Sequence, residues 1–215
     1  MLQRLAPLCG LAALGTFVGG VLVGDRAQPG AFSPANDDIS DLGAQTASSP
    51  WLYNQVAANL TGLLVLVFAF GLWRALGEGW LSRLGVAGLA IVGIGLLLDG
   101  VFRLDCQGID VACDNTSWHS DAHRVESGVT ATALLLTPPV LAFAFRRAPA
   151  WRSVWLMTLL ATPASVVASA IFTGLGDGAA SRAGSVVWFL WLAFVAFHLL
   201  RVANDERHGR VAGYS

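Results

Sequence analysis

The chain has 215 residues, a formal net charge of −1, 55% apolar residues and only 13% charged ones, with a mean hydropathy of +0.61. Soluble domains carry about a quarter charged residues because their surfaces face water, so this balance excludes an ordinary water-soluble globule and points to lipid as the main solvent. Every basic residue is arginine, and that bias, with abundant Ala and Gly, looks like a GC-rich bacterial genome.

Crossing a hydrocarbon core of about 30 Å takes roughly 20 apolar residues as helix. Six stretches qualify, at about 5–24, 52–76, 81–103, 125–145, 154–175 and 184–200, and the expected fold is an all-α, six-span membrane bundle in one domain. Two connections are long and polar, at 25–51 and 104–124. With the N-terminus inside, nine arginines fall on the cytoplasmic side (Arg4, Arg74, Arg83, Arg146, Arg147, Arg152, Arg201, Arg207, Arg210) and four outside (Arg26, Arg103, Arg124, Arg182). That asymmetry predicts cytoplasmic termini in a plasma-membrane protein, with both long loops outside.

The first span could be mistaken for a cleaved signal peptide, but no small-x-small site follows cleanly before "GDRAQPG", so a permanent helix is expected. Gly15/Gly19 and Gly20/Gly24 stand four apart, a spacing that admits a close neighbouring helix. Beyond the first loop, Asn54, Gln55, Asn59 and Thr61 run into the second span. In an α-helix Asn54 and Thr61 face one way, and amides in lipid must find partners inside the bundle.

Asp99, in "LLLDGVFRLDC", lies about a turn inside the outer end of span three, where an ionised side chain is costly unless partnered. Arg103, four residues on, is the conservative partner; a functional carboxylate at the floor of a cavity is the sharper reading. Cys106 and Cys113 flank "QGIDVA". In an extracytoplasmic loop they suit a disulfide, the alternatives being free thiols or thiols that help hold a metal. Cys9, in an apolar run, reads as a small buried hydrophobe.

"DNTSWHSDAHRVES" (114–127) is the most polar stretch and carries two of the four histidines. If the helix already includes Trp118, His119 and His123 share a face, and Glu126, Ser127 and Thr130 extend the stripe into the membrane. Asp114, Asn115 or Ser117 would cap that helix. Two histidines one turn apart make half of a metal site, zinc being the natural candidate, which Asp105, Asp121 or Glu126 could complete. The competing readings are a hydrated loop of mutually bonded groups, and proton handling or substrate binding by His123 alone. Ser165, Ser169 and Thr173 in span five, with Pro163 near a kink, suit packing or a cavity wall. His198 reads as interfacial, and Trp51, Trp73, Trp80, Trp151, Trp155 and Trp188 as an aromatic belt near span ends.

"ISDLG" at Ile39–Gly43, the Pro/Trp element after it, the Asn-bearing second span, "GVFRLD" at 100–105 and a histidine opening span four together resemble the DUF 998 integral-membrane family. That family consists of six-span prokaryotic proteins of unassigned function, distantly similar to DRAM and Sfk-type membrane proteins. The pattern carries over to Ser40, Gly43, Asp105 and His123 but not to His119, and Arg103 departs from it where relatives tend to show Pro. The resemblance implies fold and topology, not a reaction.

The functional expectation is an outward-opening polar cavity acting on a lipid or envelope intermediate, with membrane lipids rather than nucleic acid as partners. His123 would be general base or metal ligand, Asp105 would orient its imidazole, and Ser40 would be a ligand or oxyanion donor. Asp41, Asn54, Asp99 and Arg103 would contact substrate, and His119, His123 and Asp105 would hold the metal. The rival expectation is a transporter or accessory subunit whose polar cluster is structural; no inverted repeat is visible to support a carrier.

Overall fold

A computed structural model describes residues 2–212, with side chains described for 5–205. Arg4, Arg207 and Arg210, counted above in the sidedness, therefore lie outside the described side chains. Among the described residues, six helices are long and apolar enough to cross a membrane. They are α1 (Leu2–Ala27), the second span, α3 (Trp80–Asp99), α4 (Trp118–Arg147), α5 (Trp155–Phe172) and α6 (Asp177–Ala212). The second span starts as a π-helix over Leu52–Leu60 and continues as α2 (Thr61–Leu76). Much of each apolar surface faces outward, with Leu63, Ile94, Val129, Val166, Ile171 and Leu190 all exposed, as a bundle solvated by lipid requires.

Each helix packs on its neighbours in sequence and α6 closes back on α1, which makes a ring. Small residues set the spacing. Gly62 and Gly93 bring the second and third spans together so closely that a Cβ at Gly62 would lie 2.6 Å from the Gly93 carbonyl. Of the α1 glycines, Gly20 packs on Ala57 and Gly24 on Leu42, whereas Gly15 and Gly19 meet nothing within 4 Å.

Aromatic side chains fill the middle of the ring. Phe17 stacks on Phe189 at 4.3 Å, Trp188 meets Trp191 edge-on at 5.3 Å, and Phe145 stacks on Trp151 at 4.7 Å. Trp151 and Trp188 thus belong to the core and not to an interfacial belt; Trp51, Trp73 and Trp80 are exposed near span ends as expected. Trp188 sits deeper than the sequence suggests because only Gly176, at φ 132°, separates α5 and its final turn from α6, so the helix begins at Asp177.

Two prolines in α4 tie the ring across its centre. Pro138 and Pro139 lack N–H groups, so the carbonyls of Leu134 and Leu135, four residues earlier, lose their helical partners. Trp188 Nε1–H donates to the Leu134 carbonyl at 3.0 Å, and Thr162 Oγ1 donates to that of Leu135 at 2.9 Å. The helical defects thereby become inter-helix hydrogen bonds.

The two long loops interlock into a cap over one end of the ring. Thr46 bonds Asp110 at 2.6 Å, Gln107 Nε2 donates to the Asp41 carbonyl, and the Gly108 N–H donates to Asp41 Oδ2. Cys106 and Cys113 form a disulfide in this cap. Arg182, at the start of α6, makes two bonds to Asp25 and one to the Asp37 carbonyl, fastening the cap to both α1 and α6.

Candidate functional site

The cap roofs a buried polar cluster drawn from three spans. Helix α3 ends at Asp99 because Gly100 and the following turn take over its last carbonyls: the Gly100 N–H bonds Leu96, and the Phe102 N–H bonds Leu98 at 2.7 Å. This turn directs the Phe102 carbonyl at α4. That helix starts earlier than residue 125, at Trp118, since Ser117 caps it by accepting from the Ser120 N–H. His123, Glu126 and Thr130 then form one buried stripe, as the helical spacing predicts.

His123 Nδ1 lies 3.0 Å from the Phe102 carbonyl and 3.1 Å from Asp99 Oδ1. Both neighbours accept, so Nδ1 carries the proton and Nε2 is free to act as base or ligand. Tyr53, from the π-helical opening of the second span, donates its hydroxyl to Asp99 Oδ2 at 2.5 Å. Thr130 donates to Glu126 Oε1 at 2.6 Å, and Ser127 Oγ lies 3.4 Å from both His123 Nε2 and Glu126 Oε2. Gly95 makes the space, because a Cβ there would stand 2.9 Å from Glu126 Oε1 and overlap Thr130 Oγ1. One ligand atom from each of Asp99, His123 and Glu126 lies within 4.8 Å of the others, a set able to hold a metal ion.

Asp99 and Glu126 line a cavity of about 230 Å³ inside the ring. Its other polar walls include Asp38 and Ser40 of the cap, Ser127, and Ser181 and Ser185 of α6; its apolar walls include Phe17, Val92, Leu96, Trp188 and Phe189. A second cavity of about 320 Å³ between α4, α5 and α6 shares Ala131, Leu134, Ser181, Ser185 and Trp188 with the first. Ser165 and Ser169 line this second chamber. The two chambers adjoin through these shared residues, and serines recur in both linings: Ser40, Ser127, Ser181 and Ser185 in the first, and Ser165, Ser169, Ser181 and Ser185 in the second.

A family model described as a protein of unknown function (DUF998) matches residues 11–198. The chain belongs to that family. No curated protein and no solved structure matches this DUF998 chain.

The expected site residues divide into two groups. Asp99 and Ser40 line the recess, and His123 lies against Asp99 outside that lining, with Asp99 rather than Asp105 on the imidazole. Asp105 instead braces the start of α4, accepting from Ser117 N at 2.9 Å and Ser117 Oγ at 2.6 Å. Those bonds favour its charged form and hold its carboxyl below the usual range.

Asp41 turns into the cap, where burial pushes its carboxyl up despite the Gly108 N–H. Asn54 donates to the Gly43 carbonyl and so anchors the "ISDLG" turn to the second span. Thr61 bonds Thr16 of α1 at 2.7 Å, so the two side chains do not share a partner.

Arg103 is exposed; with the helix over at Asp99 it no longer shares that residue's face, and the pair foreseen from four-residue spacing does not form. His119 stacks on Trp118 at 3.8 Å and lies against Phe102, outside the cluster. Tyr53 and Trp188 carry no sequence signal of a site role. Glu126 was legible as part of the α4 stripe and as one of three carboxylates able to complete a metal set.

Proposed function

We propose that the recess binds the head group of a membrane amphiphile and catalyses hydrolysis or remodelling there, with His123 as general base. Nε2 takes the proton from the attacking group, while Asp99 and the Phe102 carbonyl hold Nδ1–H and with it the ring's tautomer. The apolar chain lies against Phe17, Trp188 and Phe189 and continues into the second chamber between α4, α5 and α6. The observation that carries this reading is the juxtaposition of a buried Asp99–His123–Glu126 cluster with an aromatic-walled cavity that adjoins a second chamber between α4, α5 and α6. The capped end faces outward in a plasma-membrane protein, supported by the arginine asymmetry and by a disulfide that suits an oxidising compartment.

Turnover tests it. Detergent-purified protein incubated with bacterial membrane lipid extract releases head-group or acyl products detectable by mass spectrometry. His123→Ala lowers that rate by about 10²–10⁴-fold, the usual contribution of a positioned base. The internal bonding of the cluster, Tyr53 to Asp99 and Thr130 to Glu126, favours a second reading in which it only ties three spans together. That reading predicts no products and a lower melting temperature as the sole effect of the substitution.

A further inference from the structure

The cluster has an unbalanced charge. Asp99 and Glu126 bring two carboxylates into the membrane-spanning part of the ring, and His123 can offer at most one positive charge. Among the described residues no arginine bonds either carboxylate; Arg182, at the same end of the ring, is engaged by Asp25 and the Asp37 carbonyl. Buried acids in such a setting take up either a proton or a compensating cation.

We infer that Asp99, His123 and Glu126 are the three protein ligands of a divalent metal site, with zinc the best-suited ion; this rests on the reading of the recess as the working site and names its cofactor. One imidazole and two carboxylates are donors that zinc accepts, at about 2.0–2.2 Å each, and three protein ligands leave a position for water. The ligand atoms already lie within 4.8 Å of one another, so modest side-chain rotations close the set.

Each ligand also has its own outer partner: Tyr53 on Asp99 Oδ2, the Phe102 carbonyl at His123 Nδ1, and Thr130 on Glu126 Oε1. The ion would draw on Asp99 Oδ1, which now lies 3.1 Å from His123 Nδ1, and on His123 Nε2 and Glu126 Oε2, which now lie 3.4 Å from Ser127 Oγ. Outer bonds of that kind orient metal ligands and set their basicity. Two carboxylates against a divalent ion bring the site to neutrality with a neutral imidazole. A bound metal would lower the pKa of its water and so supply the nucleophile, and His123 would then serve as a ligand in place of the base role it has in the metal-free reading above. His119 and Asp105, which sequence spacing offered as co-ligands, take no part.

The test uses full-length protein purified without chelator and with any histidine tag removed. Elemental analysis is expected to find about one zinc per chain. His123→Ala and Glu126→Gln should each lower occupancy at least tenfold, and Asp105→Asn should leave it unchanged. Tyr53→Phe keeps all three ligands and should weaken zinc binding by about 10–100-fold. Stripped wild-type protein titrated with Co²⁺ should develop visible d–d absorption that zinc abolishes.

Wild-type protein that is metal-free as purified and shows no saturable Zn²⁺ or Co²⁺ binding overturns the proposal, however the variants behave. So does zinc retained equally by His123→Ala and Glu126→Gln. Lipid turnover by metal-free, chelator-treated protein refutes the metal and leaves the lipid reading standing. Stoichiometric zinc without turnover supports the metal and counts against the hydrolytic reading.

Discussion

Asp99 shows how the partner of a single buried charge is chosen. In sequence, Arg103 stands one helical turn away and is the natural counter-ion. In the structure Gly100 begins a turn, the helix is over, and His123 and Tyr53 from two other spans take its place. Helix termination was the missing information: four-residue spacing pairs side chains only while the helix continues.

The α4 stripe, by contrast, was legible on one condition, a helix running through Trp118: Ser117 caps the helix there and its 3.6-residue period puts His123, Glu126 and Thr130 on one face, while His119, also expected on it, lies on Trp118 outside the cluster. Gly95 is the residue on which the site's space depends. Gly95→Ala would push Glu126 and Thr130 apart, and overpacking of this kind costs about 1–3 kcal/mol. The expected outcome is a lower melting temperature together with loss of lipid turnover, whereas Gly15→Ala, which meets open space, leaves both unchanged.

Among the elements, α4 is a long α-helix with an adjacent proline pair in its interior. Its adjacent Pro138 and Pro139 release the Leu134 and Leu135 carbonyls, and α6 and α5 each supply a side-chain donor to replace the lost bonds. Trp188→Phe should leave the Leu134 carbonyl buried without a partner, at a cost of about 1–3 kcal/mol. Pro138→Ala restores a backbone N–H for that carbonyl, so adding Trp188→Phe to it should cost much less than in the wild type. A double-mutant cycle in thermal unfolding measures this coupling, and additive effects would argue against it.

The prolines are visible in sequence, but the identity of the donors is not, since it depends on which helices the ring places beside α4. The same holds for the π-helix at Leu52–Leu60. Read as an α-helix, that segment sets Asn54 and Thr61 on one face; in the structure one holds the cap and the other α1.

For the molecule as a whole, composition and hydropathy were sufficient to foresee six spans and two polar loops, because solvation by lipid constrains every helix alike. They could not reveal that the spans close into a ring with an aromatic-walled recess beneath an interlocked cap. That arrangement rests on long-range pairs such as Arg182 with Asp25 and Trp188 with Leu134.

The proposed sidedness rests on the arginine asymmetry and is open to direct test. In a Cys9→Ala background, Ser48→Cys in the cap should react with a membrane-impermeant maleimide on intact cells. Glu78→Cys, at the opposite end, should react only after permeabilisation; the reverse pattern would invert the topology.

The account as a whole requires that the two adjoining chambers hold a lipid. Ser185 lines both, and a tryptophan there adds bulk where the chambers adjoin while leaving Asp99, His123 and Glu126 themselves in place. Native mass spectrometry of protein gently extracted from membranes measures the occupant itself. Wild-type protein should carry a bound amphiphile, and Ser185→Trp, folded and with a similar melting temperature, should retain at least about tenfold less of it, a loss of some 1.4 kcal/mol of binding. Equal retention by the two proteins, or no amphiphile on the wild type, would contradict the account.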